Sequence, residues 1–127
     1  MESGKLRTSD GVEIAYDHYT SGKRRVVVIC HGFYNSKVSA PLLSLKDSLA
    51  PDFDVFMFDL RGHGKSGGYF AMTSRESGDM RVILEFLKGK YEKTGVVAFS
   101  LGASISINTI AGFGGVDSLV CVSPVAI

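Results

Sequence analysis

The sequence predicts an α/β fold built on a mostly parallel sheet of about six strands. Short apolar runs without polar alternation recur along the chain, as expected of strands covered on both faces. Between them, apolar residues recur every three or four positions, the period of a helix with one buried face. The resulting order is a hairpin, three strand–helix units and one more strand.

Asp10-Gly11 is a tight-turn dipeptide between Lys5–Thr8 and Val12–Tyr19, so the chain opens on a β-hairpin. Arg25–Cys30 is a run rich in β-branched residues and reads as the first buried parallel strand. Leu42, Leu45 and Leu49 then fall at helical spacing. Asp54–Phe58 is the next buried strand, ending at Asp59. Thr73-Ser74-Arg75-Glu76 has the form of a capping box and predicts the start of a helix. Met80, Ile83, Leu84 and Leu87 form its core-facing stripe, and Gly89 or Gly95 stops it. Gly95–Phe99 is a further strand, Leu101–Ala111 its helix, and Gly112-Phe113-Gly114-Gly115 the stop. Ser118–Val122 is the last apolar strand.

Composition narrows the function classes. A chain of 127 residues forms one domain at most, with room for a real core. Apolar residues make up 45% and charged residues 21%, the balance of an ordinary globular protein. A net charge of +1 supplies no field for nucleic acid or an anionic membrane surface. Lys23-Arg24-Arg25 reads as a solvated turn rather than a binding patch. No apolar run approaches the roughly 18 residues of a membrane span. The opening Met1-Glu-Ser-Gly-Lys has no apolar signal region, so a cytoplasmic location is expected, with Cys30 and Cys121 reduced. Two cysteines without nearby ligand residues make no metal site, and no metal or organic cofactor is expected.

Three features fall at the carboxyl ends of the predicted strands, where chemistry gathers in such sheets. The first is Ser100, set between a buried strand and a helix and flanked two residues away by Ala98 and Gly102. A serine at such a turn sits on a sharp bend with its hydroxyl exposed, and the small flanking residues avoid a collision across it. The helix that begins there aims free N–H groups, Leu101 included, at the space where an oxyanion would form. The second is His31-Gly32-Phe33. Gly32 lets the backbone turn under the site, so the Phe33 N–H serves as a second oxyanion donor. His31 is read as loop support rather than as a general base. The third is Asp59-Leu60-Arg61-Gly62-His63-Gly64-Lys65-Ser66-Gly67-Gly68. Its Gly-Lys-Ser invites a phosphate-loop reading. However, Asp59 stands where that loop needs glycine, and Gly67-Gly68 would break the helix it needs. A structural loop pinned by Asp59, Arg61 and His63 is the preferred reading.

Together these residues resemble the α/β-hydrolase superfamily over essentially the whole chain, as the first six of its usual eight strands. The string Phe58-Asp-Leu-Arg-Gly-His-Gly-Lys-Ser-Gly-Gly68 is most similar to the monoacylglycerol lipase and serine aminopeptidase branch. The resemblance implies Ser100 as nucleophile, Phe33 and Leu101 as oxyanion donors, and a small-molecule ester or amide substrate. Ala98 replaces the glycine usual in the elbow, a change the turn tolerates.

The departure is at the C-terminus. In this superfamily an acid and then a histidine follow the serine. Here only Asp117 does among carboxylates, at the wrong end of its strand, and no histidine follows. Residues 1–127 are therefore expected to be the nucleophile-bearing half of the domain, without base, acid, late strands or cap, and nearly inactive alone. An uncharged last strand, Leu119-Val120-Cys121-Val122, is expected at an open edge, favouring self-association or a complementing chain. A non-catalytic module binding an acyl ligand or a partner, and a phosphate-binding protein using Lys65, are the alternatives.

Overall fold

The computed structural model describes residues 1–32, 35–71 and 75–122. Its strands are β1 (Glu2–Arg7), β2 (Glu13–Tyr19), β3 (Arg25–Cys30), β4 (Asp54–Phe58), β5 (Lys93–Phe99) and β6 (Ser118–Val122). Its helices are α1 (Ala40–Leu49), α2 (Ser77–Leu87) and α3 (Leu101–Phe113). The strands form one sheet in the order β1-β2-β4-β3-β5-β6. The hairpin pairs antiparallel, with Arg7 opposite Glu13, and β2 runs antiparallel to β4. All other pairings are parallel. From β3 the chain goes to one side for β4, then crosses to the other for β5. Direction therefore switches between β3 and β5, the crevice where open α/β sheets bind ligands.

The expected mostly parallel six-stranded sheet is present, with local corrections. Strand β1 begins at Glu2 rather than Lys5, because its whole length pairs with β2. Strand β5 begins two residues early, at Lys93. Thr73 and Ser74 of the capping box lie outside the described residues. Glu76 occupies the N-cap position of α2 with helical φ of −66° and makes no side-chain capping bond there. Its buried carboxylate instead accepts from the Ala71 N–H at 2.7 Å. Helix α2 ends at Leu87, before Gly89. Helix α3 continues past Ala111 through Gly112 and Phe113, and the chain turns away at Gly114. An isolated glycine costs a helix only about 1 kcal/mol, too little to stop α3 at Gly112.

Parallel strands need cover on both faces, and this sheet has it unequally. One face packs Val28, Phe56, Phe58, Val96 and Ala98 against the stripe Met80–Leu87 of α2 and against Ala103 and Ile105 of α3. The opposite face carries Val27, Ile29, Val55 and Met57 beneath Leu42 of α1. Burying each such large side chain stabilises by about 1.5–3 kcal/mol, so the doubly covered face dominates the core.

Candidate active site

Ser100 joins β5 to α3 with φ of 53° and ψ of −119°, and among the described residues no other non-glycine has a positive φ. That conformation suits glycine, and a side chain there stores roughly 1–3 kcal/mol of strain. The surroundings over-determine it. The Ser100 N–H donates to the Val122 carbonyl at 2.8 Å, tying the turn to the end of β6. Its carbonyl accepts from Ala103 N at 3.1 Å and from Ser104 N at 3.4 Å, opening α3 directly. Ser100 makes no side-chain capping bond to its own helix. The N–H groups of Leu101 and Gly102 are the first of α3 and have no acceptor within it, so they mark the positive end of its dipole.

Two glycines allow the neighbouring strand ends to close on this turn. A Cβ on Gly102 would overlap the His31 carbonyl and sit 3.0 Å from the Cys30 carbonyl, so the first turn of α3 rests on the end of β3. A Cβ on Gly32 would lie 3.2 Å from Cβ of Ser100 and 3.4 Å from the Phe99 carbonyl. His31-Gly32 and Ser100 are thus direct neighbours at the switch point. Ala98 is fully buried in β5, with Cys30 and Cys121 as its register partners. Phe33, the expected second oxyanion donor, lies outside the described residues.

His31 is buried and both ring nitrogens are occupied. Nε2 accepts from the Leu60 N–H at 3.0 Å, so Nδ1 carries the proton and donates to the Gly32 carbonyl at 2.6 Å. Burial pushes its pKa down to about 4. The ring therefore stays neutral and bridges the loops after β3 and β4. His63 packs against it, ring centroids 5.1 Å apart, and its Nδ1 donates to the Arg61 carbonyl at 3.0 Å. His18 sits toward the other end of the sheet. Its Nε2 lies 2.7 Å from the Tyr91 hydroxyl, which donates to Asp54 at 2.6 Å.

The loop after β4 is held by Asp59. Its carboxylate accepts from Lys37 N at 2.7 Å and Lys65 N at 2.9 Å, and meets the Lys37 ammonium at 3.2 Å. Lys37 also lies 3.6 Å from Asp17. Ser66 donates to the Asp59 carbonyl at 2.5 Å and accepts from Ala15 N at 2.8 Å. No helix begins at Lys65-Ser66, and these bonds turn the loop toward the hairpin rather than into a phosphate cradle. Arg61 is clamped by Asp79, through Nε at 2.9 Å, and by Asp10 at 2.7 Å. The Lys37–Asp17 and Arg61–Asp79 pairs escape sequence reasoning, because each joins residues about twenty apart with no spacing rule. Asp117 sits at the amino end of β5, accepting from Thr94 N at 2.8 Å and pairing with Lys93 at 3.6 Å.

The sequence and the fold both have known counterparts. The sequence model described as serine aminopeptidase, S33, matches residues 21–126. The chain belongs to the serine aminopeptidase S33 family. Its fold is that of the α/β-hydrolases: the esterase Pf2001 of Pyrococcus furiosus superposes with a TM-score of 0.90 at 26% identity, over 97% of this chain and 51% of the esterase. An α/β hydrolase of Sphaerobacter thermophilus matches at 29% identity and a TM-score of 0.78, over 93% of this chain and 44% of its own. In Escherichia coli (strain K12), the uncharacterized protein YnbC is 31% identical over 129 residues, covering 92% of this chain and 22% of YnbC. This S33 chain thus spans about half of these solved relatives and about a fifth of YnbC. Among its described residues no helix is long and apolar enough to cross a membrane.

Proposed function

We propose that Ser100 is the nucleophile of a serine hydrolase that cleaves a carboxylic ester or amide through an acyl-enzyme. One observation carries this reading: the only strained non-glycine backbone among the described residues places a serine at the switch point, against Gly32. In the reaction, Ser100 Oγ bonds to the substrate carbonyl carbon as its proton passes to a base. The oxyanion is held by the N–H of Leu101 and, on this proposal, that of Phe33. The leaving alcohol or amine departs with a proton, and water then releases the acyl group. His31 and Gly32 support the loop that carries the second donor. The esterase among the solved relatives favours an ester substrate, and the resemblance of residues 58–68 to monoacylglycerol lipases extends this to an acylglycerol. Free Cys30 and Cys121 suit a reducing cytoplasm.

On this reading the base lies outside residues 1–127. Supporting that, His31 has both nitrogens engaged, His63 packs on it with Nδ1 donating to the Arg61 carbonyl, and His18 is bound to Tyr91 away from the switch point. A serine without a base is weakly nucleophilic, but an intact oxyanion hole still leaves measurable acylation. The test is reaction of the 127-residue chain with p-nitrophenyl acetate, with the modified peptide mapped by mass. Slow, stoichiometric acetylation of Ser100, absent from Ser100→Ala, is expected. Acetylation elsewhere, unchanged in Ser100→Ala, would overturn the assignment. Thermal stabilisation by an acyl ligand without any labelling would favour a binding module on the same fold.

A further inference from the structure

The loop after β3 leaves the sheet at His31-Gly32 and runs to α1 through Asn35, Ser36 and Lys37. Both of its described ends are fastened to one dipeptide, Asp59-Leu60, at the end of β4. At the near end the Leu60 N–H donates to His31 Nε2 at 3.0 Å, while His31 Nδ1 holds the Gly32 carbonyl. At the far end Asp59 accepts from the Lys37 N–H at 2.7 Å and meets the Lys37 ammonium at 3.2 Å.

The dipeptide is itself held on several sides. The Asp59 N–H donates to the Ala15 carbonyl of β2 at 3.0 Å, and the Asp59 carbonyl accepts from Ser66. A Cβ on Gly64 would overlap the Asp59 carboxylate, so the backbone wraps that group closely. The Asp59 side chain is 1% exposed and that of Lys37 5%, a dry setting in which a charged contact is strongest. Asp17 of β2 lies on the same ammonium at 3.6 Å.

We propose that Asp59, acting through Lys37, is the positioning residue for the oxyanion hole of the Ser100 reaction. This rests on the hydrolase reading and adds a residue to it. Buried ion pairs add little net stability over apolar packing, and this one serves to fix a geometry. The near anchor already sits beside the nucleophile, since a Cβ on Gly32 would lie 3.2 Å from Cβ of Ser100. Phe33, the second donor on that reading, falls between the two anchors in sequence. With the far anchor lost, the loop is held at one end and that donor drifts from its place opposite Leu101. A misplacement of about 1 Å costs about 100-fold in rate.

Acetylation of Ser100 by p-nitrophenyl acetate is compared in the 127-residue chain, in Asp59→Asn and in Lys37→Met. Asparagine keeps the shape but loses one of the two oxygens that accept from the Lys37 and Lys65 N–H groups. Lys37→Met leaves the carboxylate and its backbone bonds in place, so it reads the pair even where Asp59→Asn fails to fold. Both variants acetylate about 100-fold more slowly, with full final labelling and an unchanged half-saturating ester concentration. The oxyanion itself is read with O-p-nitrophenyl thionoacetate, whose sulfur is a poor hydrogen-bond acceptor. Its rate falls far less, so the oxygen-to-sulfur rate ratio drops by about tenfold or more. Asp54→Ala, weakened at the opposite end of the sheet, controls for lost stability and keeps both rates. An unchanged ratio, or partial labelling at the full rate, would overturn the proposal, because Asp59 would then merely hold the fold together. Labelling away from Ser100 in the unmodified chain would bring down the hydrolase reading, and this proposal with it.

Discussion

At the amino ends of the parallel strands, Asp54 gathers bonds from Tyr91, Thr20 and the backbone N–H groups of Ser21 and Lys23. At their carboxyl ends, Ser100 is held at a positive φ, with two strand ends pressed against it through Gly32 and Gly102. The first region is a set of satisfied polar groups that fastens loops to strands. The second keeps a conformation that costs stability, and the rest of the fold supports it. Such strain persists where geometry serves chemistry, so the two ends respond differently to substitution.

The largest expected effect is at the close approach of α3 to β3. Gly102→Ala drives a Cβ into the backbone of His31 and costs about 3 kcal/mol, read by urea denaturation. A loss well below 1 kcal/mol would mean that the elbow yields easily and is not held by its neighbours.

His31 gives the carboxyl end a pH dependence. The unfolded chain takes up its proton near pH 6.5 and the folded chain only near 4. Its contribution is thus present above 6.5 and lost as pH falls toward 4, amounting to about 3 kcal/mol at about 1.4 kcal/mol per pH unit. Burial raises Asp79 to about 6, against the bonds from Arg61, and acts in the opposite sense. Its contribution is present below 3.8 and lost as pH rises through about 6. His31→Gln, whose amide can accept from Leu60 and donate to Gly32, is therefore compared with the unmodified chain across pH 4–7. A flatter acid limb is expected, and identical slopes would remove His31 from the account.

At the amino end, Asp54→Ala leaves the Ser21 and Lys23 N–H groups without their acceptor and costs about 1–3 kcal/mol. Acetylation of Ser100 should be untouched. Equal loss of both would show that the two ends are not separable.

The sequence reveals the strands well, since β3, β4 and β6 are unbroken apolar runs bounded by polar residues. Ser100 is legible because its bend needs small residues on both sides, and Ala98 and Gly102 supply them. The start of α2 is less legible, since the Glu76 carboxylate goes to Ala71 rather than back to its own helix. The amino-end network is invisible for a different reason. Asp54, Tyr91 and His18 are brought together only when β2, β4 and the loop before β5 assemble.

The central claim is that residue 100 is strained because a serine side chain is required there. Urea denaturation of Ser100→Gly beside the unmodified chain tests it most directly. Glycine adopts this φ and ψ freely, so stability should rise by about 1 kcal/mol while acetylation disappears. Unchanged or lower stability would contradict the claim, because the bend would then cost the fold nothing.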